Sequence, residues 1–196
     1  MDLQLDTSKT ALLSMDYHNI VYALSKAKER NVTEKASRVL QATRTAGGVV
    51  MHVAVHRIPG FTSPRNKFVS LMMGRNLPEG LTPETATGFV PGMEPAQGEP
   101  VVHKPRISAF YGSELIALLH SRDIDTLVIQ GLVSEFVVEG TVREAVDRDY
   151  RVFVLEDCCA GFSDESHQAA FKLMEPLCHI VSSADYLESI GQKVSA

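Results

Sequence analysis

The chain has 196 residues, of which 44% are hydrophobic and 22% charged, which suits one domain with a full-sized core and excludes a disordered or fibrous protein. A formal net charge of -5, with Lys and Arg scattered along the chain, leaves no basic footprint for nucleic acid or for an anionic membrane surface. No stretch approaches the about 20 apolar residues of a spanning helix, and the acidic start "MDLQLDTSKTALLSMD" does not read as a signal peptide, so a cytoplasmic protein is expected.

Short apolar runs alternate with helical patterns, which predicts an α/β fold on a parallel sheet. "TALLSMD" reads as a first strand, buried on both faces and ending at Asp16. "TEKASRVLQATRTAGG" reads as a helix with Thr33 as N-cap, Ala36, Val39, Leu40 and Thr43 on one face, and Gly47 or Gly48 as its stop. "VVMHVAVH" is the second strand. From Arg57 to Pro100 the chain holds most of its prolines and one short helical pattern around "KFVSLMMGR"; a segment this long is a functional loop or an oligomer contact. "EPVVHK" is a third strand ending at Lys104, "GSELIALLHSRD" a helix with Ser113 near its start, "TLVIQGLV" the fourth strand, and Ser134 to Asp149 the next helix. "RVFVLED" is the fifth strand, ending at Asp157; "SDESHQAAFKLMEPL" is a helix capped by Ser163 and Ser166; "CHIVSS" is the sixth strand and "SADYLESI" a closing helix. The expected fold is a three-layer α/β sandwich over residues 1–196, with a six-stranded, mostly parallel sheet and helices on both faces in Rossmann-like fashion. Ligands bind outside the carboxyl ends of such strands, so Asp16, Lys104, the Gly131–Ser134 turn and Asp157 are predicted to converge on one rim.

Several of these residues are equipped for chemistry. Asp16 and Lys104, each at a strand end, form a candidate acid/base pair; a buried structural ion pair or a helix cap fits their positions equally. Arg106, just after the stiff Pro105, is placed to grip a carboxylate in two-pronged fashion, although a solvated surface charge is the commoner fate of an arginine. Phe110 reads as core or as a pocket wall. Ser134 opens a helix whose free N–H groups suit an anion, and a plain N-cap is its competing role. Glu135 either enters the pocket or favours the helix dipole. His52 and His56 sit on a strand without an H-E-x-x-H pattern, and no other histidine makes a zinc spacing, so neither metal nor cofactor is expected. Cys158, Cys159 and Cys178 make an odd count and read as reduced thiols; one of the adjacent pair is a candidate pocket residue, buried packing the alternative.

The stretch "GLVSEFVVEGTVREAVDRDY" has the layout of an enzyme's catalytic helix, an apolar strand running into a glycine and then a serine at a helix start. Where such a layout often places a nucleophile, the chain has Phe136, Val137 and Val138, and none of these can attack anything.

"TALLSMDYHN", "PAQGEPVVHKPRISAFYGSEL" and "LVIQGLVSEFVVEGTVREAVDRDYRVFVLEDCCAGFSDESH" together resemble, in order and over nearly the whole chain, the isochorismatase-like hydrolases, or cysteine hydrolase superfamily. The resemblance implies that Asp16 and Lys104 hold the places of the catalytic aspartate and lysine. It implies that Val137 stands where most members have the nucleophilic cysteine. It places a non-proline cis peptide at Val133–Ser134, with Ser134 where threonine is usual and His18 where glutamine is usual; the metal-binding cluster of nicotinamidases is not evident. Isochorismatases proper cleave a vinyl ether without needing that cysteine, and "KPRISAF" is close to their form. The resemblance therefore implies a hydrolase of a small, anionic molecule, with Arg106, Phe110, Val133, Ser134 and Val137 around the substrate and no covalent intermediate. An amide hydrolase with a displaced nucleophile, Ser134 or Cys159, and a non-catalytic binding or scaffold member are the alternatives. A homo-oligomer is implied as well. Substrate choice is expected to rest on loop residues such as Phe61, Phe89 and Met93.

Overall fold

The computed structural model describes Leu3 and residues 5–56, 65–68 and 76–191. Six strands form one sheet: β1 (Thr10–Met15), β2 (Val49–Val55), β3 (Val101–Lys104), β4 (Thr126–Leu132), β5 (Arg151–Ala160) and β6 (His179–Val181). Every pairing is parallel, and the order is β3-β2-β1-β4-β5-β6. β1 and β4 lie at the centre and are buried along their whole length, which is why both read as continuous apolar runs.

Alternate side chains of these strands feed two cores. Leu12, Val50, Val128 and Phe153 pack under α2 (Val32–Thr45) and α7 (Ser183–Ser189), against Val39, Leu40, Tyr186 and Leu187. Leu13, Met51, Leu127 and Ile129 pack on the opposite face under α4 (Leu115–Ser121), α5 (Glu139–Val146) and α6 (Asp164–Met174). The α/β, three-layer expectation is met. Among the described residues no helix is long and apolar enough to cross a membrane.

Several local expectations change. Two short helices, α1 (Asn19–Leu24) and α3 (Pro83–Ala86), are too brief to leave a periodic signal. α2 begins at Val32 after a left-handed Asn31 (φ 53°), not at a Thr33 cap. The helix expected from Ser134 opens instead as a π-helical turn, Ser134–Val138, before α5 begins. Of "KFVSLMMGR" only Lys67 and Phe68 fall within the described residues; both are helical. The caps of α6 are as read: Ser163 and Ser166 form a reciprocal capping box.

β5 departs most. It runs past Asp157 to Ala160, and its register with β4 shifts: Ile129 pairs with Val154, whereas Gly131 pairs with Cys159. Three extra β5 residues bulge between those pairs, and Asp157 is one of them. Its carboxylate accepts from the backbone N–H and the hydroxyl of Ser183, at 2.8 and 2.7 Å, and so caps α7 instead of joining Asp16 and Lys104. Hydropathy alternation cannot reveal a bulge, because it adds residues without changing their polarity.

The close approach of β1, β4 and the π-helical turn depends on Gly131. A Cβ there would stand 2.9 Å from the Met15 carbonyl oxygen, 3.0 Å from Met15 Cβ and 3.4 Å from Val138 Cγ2. Gly131→Ala should therefore destabilise the fold by about 1–3 kcal/mol, the usual range for overpacking, read as a lower urea midpoint. An unchanged midpoint would mean the strands part without cost.

Candidate functional site

Reversal of strand order between β1 and β4 opens a crevice at their carboxyl ends. At this point β1 stops and the chain turns sharply. Asp16 takes a left-handed backbone conformation (φ 54°), its N–H donating to the Val53 carbonyl at 2.8 Å and its own carbonyl accepting from the His18 N–H at 2.7 Å. This turn aims the Asp16 side chain toward the end of β3, two strands away. There Lys104 Nζ lies 2.8 Å from Asp16 Oδ2 and also donates to the Arg106 carbonyl at 3.0 Å. Both groups are withdrawn from solvent, Asp16 at 7% and Lys104 at 2% exposure. Asp16 Oδ1 is buried and has no hydrogen-bond partner among the described residues.

The pair forms one side of a cavity of about 70 Å³. Arg106 lines it too, its Nη1 donating to the Pro105 carbonyl at 2.7 Å. Among the described residues the rest of the wall is apolar. Val133, Phe136 and Val137 come from the β4–α5 turn, and Phe68 and Phe162 close against Phe136 with ring centroids 4.8 and 5.9 Å away. Val21, Val55 and Ile107 fill the remainder. The Leu132–Val133 peptide is cis, one bond earlier than the Val133–Ser134 position inferred from sequence.

Two residues expected around a substrate are directed elsewhere. Phe110 is core: it faces the Tyr150 ring at 6.0 Å and lies under the Arg148 guanidinium at 4.9 Å, away from the cavity. The turn at Ala109, whose N–H donates to Thr141 Oγ1, points it toward α5. Ser134 contributes backbone next to the cavity, but its hydroxyl, fully buried, lies 2.8 Å from His167 Nδ1 and makes no cap. Arg30 Nη2 lies 2.9 Å from Nε2 of the same ring. A guanidinium only donates, so Nε2 must be the bare acceptor and the ring proton sits on Nδ1, donating to Ser134 Oγ. His167 in this tautomer cannot take a proton from Ser134, which removes the base a serine nucleophile needs. Glu135 does not enter the pocket; its Oε1 accepts from the Phe162 N–H and from Ser166 Oγ, bracing the start of α6.

The thiols are equally remote. Cys158 and Cys159 are both fully buried, and neither lines the cavity. Burial pushes the Cys159 thiol up to about 12 and raises that of Cys158 well above its usual value. A thiol held in its neutral form is a poor nucleophile. Met93 lies in the core under α2, and Phe89 packs against the rings of His18 and His52, so neither faces the cavity; Phe61 lies outside the described residues. Among the described residues no three His, Cys, Asp or Glu side chains gather as a metal ion would need. Val133 and Val137, both named from sequence, line the cavity, but sequence reading missed His167 and Arg30, and Val21, Val55 and Ile107 carry no signal that separates them from ordinary core.

The Arg30–His167–Ser134 contact predicts acid sensitivity. Burial and the Arg30 charge hold the His167 imidazole down at about 4, against a weaker opposing pull from Asp164; Glu156 Oε1 faces the ring at 3.8 Å and the Phe171 ring lies tilted against it at 4.6 Å. The unfolded chain takes up a proton here near pH 6.5 and the folded chain does not. Stability is therefore complete above pH 6.5 and falls as the pH drops toward 4, by ~3 kcal/mol for this group. Below about 4 the folded ring protonates too and the loss stops growing. Urea midpoints between pH 7 and 4 should fall, and more steeply in the native chain than in His167→Gln; identical slopes would contradict this.

The Isochorismatase domain family model matches residues 10–185. A relative named as an uncharacterized isochorismatase family protein, YwoC of Bacillus subtilis, is 28% identical over 174 residues, covering 89% of each chain. The ureidoacrylate amidohydrolase RutB of Methylobacterium radiotolerans is 32% identical over 81% of this chain and 66% of its own length, and the maleamate amidohydrolase of Pseudomonas putida is 23% identical over 80% and 73%. Among solved structures, a cysteine hydrolase from Pseudomonas syringae pv. phaseolicola superposes with a TM-score of 0.82 at 20% identity, covering 95% of this chain and 94% of that one.

Proposed function

The chain belongs to the isochorismatase family of hydrolases, and from that premise we propose that it hydrolyses a small anionic molecule through Asp16 and Lys104, without a covalent cysteine intermediate. One observation carries the reading: the 2.8 Å Asp16–Lys104 pair borders the same cavity as Val137, which occupies the position taken for the nucleophile's. An apolar isopropyl group there offers no bond to a substrate carbon. Proton transfer, by contrast, asks only for a carboxylate and an amine held at hydrogen-bonding distance.

The chemistry that needs only a proton is cleavage of an enol ether. The pair protonates the terminal alkene carbon, forming a C–H bond and leaving an oxygen-stabilised cation. Water adds to that cation and returns a proton to the pair; the resulting hemiketal collapses to a ketone and an alcohol. Asp16 is the group placed to exchange the proton, Lys104 holds its Oδ2, and Arg106 holds a substrate carboxylate.

A second reading is favoured by the names of two relatives, amidohydrolases of ureidoacrylate and of maleamate. For this chain a C–N substrate would have to be attacked by water activated at Asp16, since Cys159 and Ser134 both point out of the cavity. Screening purified protein against vinyl ethers, amides and small carboxylates, with Asp16→Asn alongside, tests both. Turnover of a vinyl ether that vanishes in Asp16→Asn supports the first, and turnover of amides alone the second. No turnover in any class would favour a binding or scaffold role.

A further inference from the structure

We infer that Phe136, clamped between Phe68 and Phe162, is a size filter that restricts the cavity to short-chain monocarboxylates; the inference rests on this cavity being the substrate site.

Charge sets the first limit. Among the described residues three charged side chains border the cavity: Asp16, Lys104 and Arg106. Lys104 is paired with Asp16 at 2.8 Å, so the two cancel and Arg106 remains. Its guanidinium gives one N–H to the Pro105 carbonyl and faces no carboxylate among the described residues. One uncompensated cation with a planar, two-pronged face matches one carboxylate. A second carboxylate would be desolvated without a partner.

Volume sets the second limit. A cavity that takes benzene measures about 150 Å³, and this one is about 70 Å³. A six-membered ring is therefore disfavoured inside it, whereas a chain of a few carbons beside a carboxylate fits. Phe136 decides the volume, because it lies within the wall, is half-buried, and is flanked on both sides by rings at 4.8 and 5.9 Å that stop it from swinging away.

Binding of propionate, crotonate, benzoate and malonate, followed by chemical-shift perturbation of the full chain, tests the filter without requiring turnover. Native protein should bind propionate and crotonate at least tenfold more tightly than benzoate or malonate. Phe136→Ala should tighten benzoate by tenfold or more relative to propionate, Phe136→Leu by less, and Arg106→Gln should weaken all monocarboxylates. The filter is overturned if benzoate or malonate binds native protein as well as crotonate does, if Phe136→Ala leaves the ratio unchanged, or if no monocarboxylate binds at tens of millimolar. Selective binding without turnover of any substrate would leave the filter standing and end the hydrolase reading. Asp16-dependent turnover with a preference for dianions would do the reverse.

Discussion

Asp16→Asn is expected to reduce kcat by about 100- to 10,000-fold on whichever substrate the protein turns over, the range that a positioned acid or base contributes. Asparagine keeps the size and planarity of the side chain. Its carbonyl oxygen can still accept from Lys104 Nζ, so the cavity wall and the 2.8 Å contact have a near-isosteric replacement. What is lost is the ability of the site to store and release a proton. KM should move little by comparison, because Arg106, not Asp16, is assigned to the substrate carboxylate. Cys159→Ala is the control, since its thiol lies fully buried outside the cavity and is pushed up to about 12. That variant should keep its turnover. The opposite pattern, a dead Cys159→Ala and an active Asp16→Asn, would falsify the proton-transfer proposal and return the chemistry to sulfur.

Lys104→Met carries the second large effect, and it falls on stability. Removing the ammonium leaves the Asp16 carboxylate at 7% exposure with neither oxygen paired, since Oδ1 already lacks a partner. Breaking a buried pair on one side typically costs about 3–5 kcal/mol. The double variant Asp16→Asn/Lys104→Met should regain much of that loss, because a neutral amide needs no counter-charge. A urea-unfolding double-mutant cycle measures the coupling; strict additivity would show that the two groups do not sense each other in solution. The stability cycle alone does not separate an enzyme from an inactive relative, because a purely structural ion pair behaves the same way. Combined with the Asp16→Asn kinetics it does: a scaffold shows the coupling and no turnover to lose.

The nucleophile's position and the meeting of the pair have different standing in the sequence. The strand–glycine–serine layout marks only the stretch Phe136–Val138 as lacking an attacking atom; that Val137 is the position itself follows from the resemblance to the cysteine hydrolases. The meeting of Asp16 with Lys104 follows from two apolar strands each ending in a charge, since parallel strands bring their carboxyl ends to one rim. Asp157 satisfied the same rule and failed. Its strand bulges, and Ser183 offers the carboxylate two donors that the rim does not. Phe110 failed for a related reason: aromatic residues read alike whether they wall a cavity or fill a core, and the turn at Ala109 decides which.

The network behind the β4–α5 turn was illegible. Ser134 alone reads as a cap; with His167 and Arg30 it becomes the last member of a chain of donors that runs from α6 and the loop before α2. No spacing signals it, because residues 30, 134 and 167 meet only after the crossovers have folded back on the sheet. The tautomer argument that disqualifies Ser134 as a nucleophile exists only in three dimensions.

The order of apolar runs and helical periods, read without coordinates, determined the α/β architecture, the central burial of β1 and β4, and the rim at which Asp16 and Lys104 stand, because burial and periodicity are local properties written residue by residue. Which side chains face the cavity, how small it is, and which histidine, serine and cysteine are turned away from it were decided by the tertiary structure. Those outcomes depend on turn geometry, a register shift and competition among hydrogen-bond partners far apart in the chain, and none of these has a local signature.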